Sequence, residues 1–197
     1  MLNRNLFVNL NAGLNFIERF NLKEEYFDRH SDIHGVRHTY RVMAHCLVLG
    51  ETLDLQVEAK SAFCGAFIHD MARRHDGKCH EHGGWAAESK LPLFAPLFNS
   101  IGLSDNDIEA VRTAVIWHSL PEELDPGHTF YKTVAILKDA DALDRVRLKP
   151  GFFDLQYLRF PDTKNFVGYA GRLYQRTNNN EQMIFTDYLS YALELLA

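Results

Sequence analysis

The sequence predicts an all-α fold, a single helical bundle, and three observations lead to that prediction. Apolar residues recur at steps of three and four along most of the chain, which is the spacing of one face of a helix. The sequence contains no alternating strand-type run of useful length, no internal repeat and no low-complexity tract. The chain has 197 residues, 46% of them hydrophobic and 12% aromatic, which suits one buried core. We therefore expect one domain over residues 1–197.

Four helical segments are predicted in the first half of the chain. Ser31 and Asp32 are suited to cap the second of these helices, because their side chains can accept hydrogen bonds from the free amides of a first turn. The predicted helices cover residues 4–20, 31–53, 57–71 and about 82–91. The stretch LFAPLFNSIGLS at 93–104 contains a proline and a glycine, so we expect a loop-like connector with room for one helical turn.

The second half of the chain has clear helix signals. Ser104 and Asp107 form the pattern of a capping box, which opens a helix ending near His118. Pro150 and Gly151 are expected to end the helix that follows it. The predicted helices cover residues 105–118, about 129–146, a segment from 164 onward, and 181–197.

Charge and cysteine content narrow the classes of protein to consider. The formal net charge is -5 and the isoelectric point is near 6.0, so no basic footprint for duplex nucleic acid is visible. The three cysteines, Cys46, Cys64 and Cys79, form no CxxC pair. The N-terminal stretch lacks a signal-peptide pattern, and no apolar run approaches the ~20 residues that span a bilayer. We expect a reduced, cytoplasmic protein that binds neither duplex nucleic acid nor membranes.

Ten histidines are a high count, and the stretch AFIHDMARRHDGKCHEHGGWAAE at 66–88 holds four of them. Its His69–Asp70 pair combines a neutral imidazole with a carboxylate, a donor set that suits Fe, Mn, Co or Zn. The pair alone is a weak signal, because His-Asp dipeptides are common by chance. Residues elsewhere in the chain must support a metal site.

Other helices carry matching residues on their inward faces. His118 lies on the same stripe as Val111 and Val115, and Asp141 is in phase with Val134 and Leu137. A buried carboxylate is unfavourable by several kcal/mol unless it is paired or bound to a metal. Two ligand-type side chains that face the interior from separate helices indicate a shared partner between them.

Four segments together resemble the HD-domain superfamily of metal-dependent phosphohydrolases. They are HGVRHTYRV at 34–42, FIHDMAR at 67–73, HGGWAA at 82–87 and DADALD at 139–144, so the resemblance covers roughly residues 30–147 and leaves a C-terminal helical extension at 150–197. It implies a helical bundle with a central metal held by His38, His69, Asp70 and Asp141. His82 and His118 fit the two extra histidines of the two-metal branch, with Asp70 bridging both ions. Single-metal members exist, and His80 competes with His82 for its role.

The resemblance implies hydrolysis of a nucleotide or another small phosphoester by a metal-activated water. Asp70, as the bridging carboxylate, is the expected catalytic residue, and one or two divalent ions are expected among Fe, Mn, Co, Ni, Zn and Mg. Arg73, Lys78 and Arg145 are candidates for binding the substrate phosphate. For all three, a solvated run of charge is an equally good interpretation.

Two other functions fit the same ligand order. Some members of the superfamily hold a mixed-valent di-iron pair and oxygenate a C–H bond, and a regulatory or sensing module would keep the metal without turnover. Several residues are expected to lie outside the site. His45 is predicted to pack in the core with a hydrogen bond, His30, His75 and His128 to be exposed, and Asp139 to be a weaker ligand candidate than Asp141.

Overall fold

The computed structural model describes residues 17–148, 153–179 and 182–196, and within these ranges every regular element is helical. The predicted all-α fold is therefore confirmed. The helices are α1 Val36–Thr52, α2 Gln56–Ile68, α3 His82–Ser89, α4 Leu91–Ser100, α5 Asp105–His118, α6 Tyr131–Asp144, α7 Val167–Thr177 and α8 Phe185–Glu194. Most of the predicted helix at 4–20 and the predicted break at Pro150–Gly151 lie outside the described residues.

Helix α2 is the central element of the bundle. All of its residues from Ser61 to Ile68 are buried, so its last two turns are enclosed on every side by other elements. It packs against α1, α5 and α6. The approach to α1 is close because Gly50 has no side chain: a Cβ there would lie 2.2 Å from the Cβ of Ala59. The three neighbouring helices thus bring their polar residues to one end of α2.

Helix boundaries explain how the His69–Asp70 pair is presented. Helix α2 ends at Ile68, three residues earlier than the predicted Met71, and His69 and Asp70 lie in the turn that follows. Helix α1 begins at Val36 and lacks a side-chain cap, so the predicted cap by Ser31 and Asp32 is wrong. The hydroxyl of Ser31 instead accepts from the amides of residues 33 and 34 and donates to Asp76 at 2.5 Å.

The connector predicted at 93–104 is wrong, because most of it is helix α4. Pro92 lies in the first helical turn, where a missing amide hydrogen removes no intrahelical bond, while Pro96 lies inside the helix. Packing of the aromatic side chains outweighs the unfavourable effect of Pro96, which removes one intrahelical hydrogen bond. Phe98 is fully buried, and its ring lies 6.2 Å from those of both Phe20 and Phe67. Tertiary contacts of the aromatic face therefore stabilise a helix in a segment whose proline had predicted a loop.

The C-terminal elements cover α1 and α6. Pro161–Phe166 forms a 3-10 helix that leads into α7, close to the predicted helix start at Lys164. The predicted last helix is confirmed as α8, whose Phe185 and Tyr188 rings pack against Tyr40 of α1. Among the described helices, none is long and apolar enough to cross a membrane.

Two adjacent glycines in α3 offer a direct test of this packing. A Cβ on Gly83 would lie 2.2 Å from the backbone oxygen of Val115 and 2.7 Å from Ser119 Oγ, whereas a Cβ on Gly84 would meet nothing within 4 Å. Gly83→Ala should destabilise the protein by about 1–3 kcal/mol, because α3 must move away from α5. Gly84→Ala should be neutral or stabilising by up to about 1 kcal/mol, because glycine is a poor helix former. Urea unfolding of both variants measures the difference, and equal midpoints would contradict this account of the α3–α5 contact.

Candidate metal centre

All six side chains predicted as metal ligands meet in one cluster. They reach it from helix ends and helix faces: His38 from α1, His69 and Asp70 from the turn after α2, His82 from the start of α3, His118 from the end of α5 and Asp141 from α6. His38, His69, Asp70 and His82 are buried. The two overlapping groups His38–His69–Asp141 and His69–Asp70–His118 each place their ligand atoms within 4.8 Å of one another, close enough to hold a metal ion.

One half of the cluster surrounds His38. Its Nε2 atom lies 3.3 Å from Nε2 of His69, 3.3 Å from an oxygen of Asp141 and 3.4 Å from Oδ2 of Asp70. Oδ2 of Asp70 also lies 3.5 Å from Nε2 of His69. These four residues are the ones that the family resemblance assigns to a first ion.

The other half of the cluster surrounds Oδ1 of Asp70. This oxygen lies 3.0 Å from Nε2 of His82 and 3.9 Å from Nε2 of His118, and the two imidazole nitrogens are 2.9 Å apart. Asp70 therefore presents one oxygen to each half. That is the arrangement a bridging carboxylate requires.

The hydrogen-bond partner of Nδ1 determines the tautomer of each of the four histidines. Each Nδ1 faces an oxygen that can only accept: His38 faces Asp144 at 2.7 Å, His69 the Ala66 carbonyl at 2.7 Å, His82 the Cys79 carbonyl at 3.0 Å and His118 the Val115 carbonyl at 2.6 Å. Each Nδ1–H must donate, so each neutral ring presents the lone pair of Nε2 to the cluster.

Four imidazole Nε2 atoms and two carboxylates therefore face one another, an arrangement that a bound cation would stabilise. A divalent metal ion fits this donor set of imidazole nitrogens and carboxylate oxygens. Such Nδ1–H contacts to carbonyl or carboxylate oxygens are also the usual way in which proteins orient metal-binding histidines. The residues present therefore fit the metal that the family resemblance implies.

Electrostatics keep the carboxylates ionised. Burial raises the pKa of Asp70, but the imidazoles of His69, His118, His38 and His82 around it outweigh burial and hold the pKa well below its usual range. Asp141 behaves in the same way, with His38 as the largest opposing influence. Burial lowers the pKa of His69 to about 3, which keeps its ring neutral and available as a ligand.

The three predicted substrate-binding residues lie in different settings. Arg73 donates to Oδ1 of Asp70 at 2.9 Å and to the carbonyls of His75 and Gly77, so its guanidinium holds the bridging carboxylate and the following loop. Lys78 is exposed on that loop. Arg145 is 51% exposed, and its guanidinium lies 3.8 Å from Asp141.

The contacts of the remaining histidines and of Asp139 show which of them belong to the cluster. His80 bonds the Ser119 carbonyl at 3.0 Å, while His82 faces Asp70, so His82 is the better ligand. Asp139 is fully buried away from the cluster, where it accepts from the amides of Arg159 and Phe160. The predicted hydrogen bond of His45 is wrong: within the described residues neither ring nitrogen has a partner, and the ring packs edge-on against Tyr169. The histidines expected to be exposed are so: His30, His75 and His128.

Sequence reasoning missed the residues behind His38. Asp144 is fully buried and binds His38, Arg41 and Arg147. Its position three residues after Asp141, on the same face of α6, is a signal that could have found it. His34 also lies next to the cluster: its Nδ1 lies 3.2 Å from Asp76, and its ring packs edge-on against His38 at 5.9 Å.

Comparison with known families agrees with this geometry. The family model described as HD domain matches residues 35–146, more than half of the chain. The chain belongs to the HD-domain family. Most members of this family are phosphohydrolases, and HD domains bind divalent metals. No curated protein and no solved structure matches the chain.

Removal of the charge on Asp70 should abolish metal binding. Asp70→Asn preserves the shape, but two divalent ions would then face each other with less negative charge between them. We expect this variant to lose nearly all bound metal, whereas His118→Ala should lose mainly one of two ions. Metal content per chain, measured by elemental analysis, checks both, with His75→Ala in the exposed loop as the control. Two ions per chain in Asp70→Asn would contradict the bridging role.

Metal binding should strengthen as the pH rises. In the metal-free protein, burial and the charge of Arg147 lower the pKa of His38, but hydrogen bonds to Asp141, Asp144 and Asp70 outweigh them and raise it to about 9. Below that pH the ring holds a proton that a metal must displace, so affinity should rise by up to about tenfold per pH unit toward pH 9 and then level off. Calorimetry in two buffers of different ionisation enthalpy measures the released proton. Affinity that is constant between pH 7 and 9 would contradict this prediction.

Proposed function

We propose that this HD-domain protein hydrolyses the phosphoester bond of a nucleotide or another small phosphorylated metabolite. The observation that carries the proposal is the convergence of four imidazole Nε2 atoms and two carboxylates, at a place that solvent reaches over Asp141. When bound, divalent ions polarise a phosphoryl oxygen and lower the pKa of water, which is the chemistry that phosphoester hydrolysis needs.

Exposure indicates the side from which a substrate enters. The side chain of Asp141 is 20% exposed, whereas those of the other five ligand candidates are at most 4% exposed. A closed cluster would suit a structural ion, and an accessible one suits an ion that must meet a substrate. We infer that the substrate approaches over Asp141.

Arg145 stands at this entrance and is the best candidate for the residue that binds phosphate. It lies one helical turn beyond Asp141, and its guanidinium is half exposed, so it can turn toward an incoming anion. Lys78, exposed on the loop after Arg73, is a second candidate. Arg73 has a different task, because its contact with Asp70 holds the bridging carboxylate in place.

The chain's own residues supply the remaining requirements. Asp70, held by Arg73, contacts both halves of the cluster and fixes their relative position. The four Nδ1–H contacts prevent the imidazole rings from turning, so the ligand atoms are positioned before a substrate arrives. The anionic cluster attracts divalent cations, and the guanidinium at its rim attracts phosphate.

A direct experiment follows from this assignment. The purified protein is analysed for metals, stripped, reloaded separately with Mn, Co, Ni, Zn, Fe and Mg, and screened for phosphate release from nucleotides and small phosphoesters. We expect metal-dependent release that Asp70→Asn abolishes. Oxygen uptake by the iron-loaded protein without phosphate release, or bound metal with no turnover on any phosphoester, would overturn the proposal.

The role of Arg145 is tested by the form of the kinetic defect. Arg145→Ala should raise KM about tenfold or more with a smaller change in kcat, because a charge-assisted hydrogen bond to the substrate phosphate is lost. Arg172→Ala, at an exposed position of α7, is the matched control and should leave both constants unchanged. Unchanged KM in Arg145→Ala would show that this arginine does not bind the substrate.

A further inference from the structure

A continuous set of contacts connects the metal cluster to the C-terminal extension. It begins at Asp144, the last residue of α6, whose side chain is fully buried. The carboxylate accepts from Nδ1 of His38 at 2.7 Å and from Nε of Arg41 at 2.5 Å, and it forms an ion pair with Arg147 at 3.1 Å. Asp144 thus joins one ligand candidate to two arginines, and its own position depends on them.

Arg41 carries the connection to α7. Its Nε and Nη2 atoms both donate to the Asp144 carboxylate, in the bidentate geometry that fixes a carboxylate in orientation as well as distance. The buried guanidinium lies over the ring of Tyr174, 5.2 Å from the ring centroid. One turn earlier on α1, Arg37 donates to the carbonyl of Asn178 at 3.1 Å. Helix α7 and the residue after it therefore cover the face of α1 that holds Asp144.

This cover lies outside the region that the family model matches. The match ends at residue 146, whereas Tyr174 and Asn178 belong to the extension. The six ligand candidates, Arg41 and Asp144 all lie within the matched region, and the aromatic face that confines Arg41 comes from beyond it. Through Tyr174 and Asn178 the extension thus contacts the residues that support the cluster.

We propose that α7 positions the metal ligand His38 through Tyr174, Arg41 and Asp144, so that the C-terminal extension sets the metal affinity of the site. This inference rests on the proposed metal centre. The physical reason is that an acceptor for Nδ1–H fixes the tautomer and ring orientation in which His38 binds metal through Nε2. Asp144 is that acceptor, Arg41 fixes its orientation, and the Tyr174 ring keeps Arg41 from leaving the carboxylate. Tyr174, Arg41 and Asp144 are positioning residues rather than ligands.

The chain offers a matched control for Tyr174. Arg176 of α7 lies over the ring of Tyr191 of α8 at 5.3 Å, a contact of the same chemistry that is not connected to the cluster. Tyr174→Leu and Tyr191→Leu each remove one arginine–aromatic contact of α7. Tyr174→Phe keeps the ring and should retain the wild-type behaviour.

Two readouts separate positioning from general stability. The first is the metal dissociation constant of the full chain, measured with Mn and Zn by competition with a chelator. We expect Tyr174→Leu to weaken binding about threefold or more and Asp144→Asn to weaken it about 10–100-fold, with no change in Tyr191→Leu. The second is the NMR resonance of the His38 Nδ1 proton in the metal-free protein, which should exchange faster with water in Tyr174→Leu and stay as in wild type in Tyr191→Leu and Tyr174→Phe.

The outcomes distinguish this inference from the proposed function. If wild type binds metal and Tyr174→Leu binds it equally well with an unchanged Nδ1 proton, the positioning role is wrong. Equal weakening in Tyr174→Leu and Tyr191→Leu would also overturn it, because the effect would then be one of stability alone. If wild type binds no metal, the metal centre fails, and the Nδ1 proton still decides whether α7 holds His38. Should Asp144→Asn not fold, the Tyr174 variants carry the test.

Discussion

The site depends on one constraint: each of four imidazole rings must donate its Nδ1–H away from the cluster. Helix ends satisfy it for His69 and His118, because the last carbonyls of a helix lack intrahelical partners and can accept from a side chain in the same turn. His82, at the start of α3, uses the carbonyl of Cys79 in the preceding turn. His38 lies in the first turn of α1, where the Gly35 carbonyl accepts from the Thr39 amide, and so it takes Asp144 as its acceptor. The most elaborate support therefore belongs to His38, the one of these four histidines whose Nδ1–H is not accepted by a nearby backbone carbonyl.

Helix packing brings these ends together. The apolar α2 places His69 and Asp70 at the centre, and close approaches at glycines place the neighbours around them. Gly83 lets α3 lie against the last turn of α5, which puts the Nε2 atoms of His82 and His118 2.9 Å apart. This packing stabilises the fold, and it also holds imidazole nitrogens that would bind a metal close to one another. Metal binding and folding are therefore thermodynamically coupled. A bound cation would relieve the repulsion that the apolar core imposes.

The segment DADALD illustrates how one helix divides three identical side chains among three tasks. Asp141 faces the cluster and the entrance, Asp144 orients His38, and Asp139 holds the 159–163 segment through two backbone amides and the hydroxyl of Thr163. Burial raises the pKa of Asp139, whereas histidine and arginine contacts hold those of Asp141 and Asp144 below their usual range. The same residue type thus acquires different chemistry from its position on the helix.

By itself the sequence determined the all-α fold and the helices α1, α2, α3, α5, α6, α7 and α8, because helical periodicity is a local signal. Periodicity also turned His118 and Asp141 inward, whereas the full set of six cluster residues came from the resemblance of four short segments to the HD-domain superfamily. The sequence did not determine α4, whose prolines argued for a loop and whose aromatic face is stabilised only by Phe20 and Phe67 from distant segments. Nor did it determine the hydrogen bond from His38 to Asp144 or the contact of Arg41 with Tyr174, which join residues 106 and 133 positions apart. Such partners are chosen by the tertiary structure, because a buried charge takes whichever acceptor the packing brings within reach, and no periodicity along the chain records that choice.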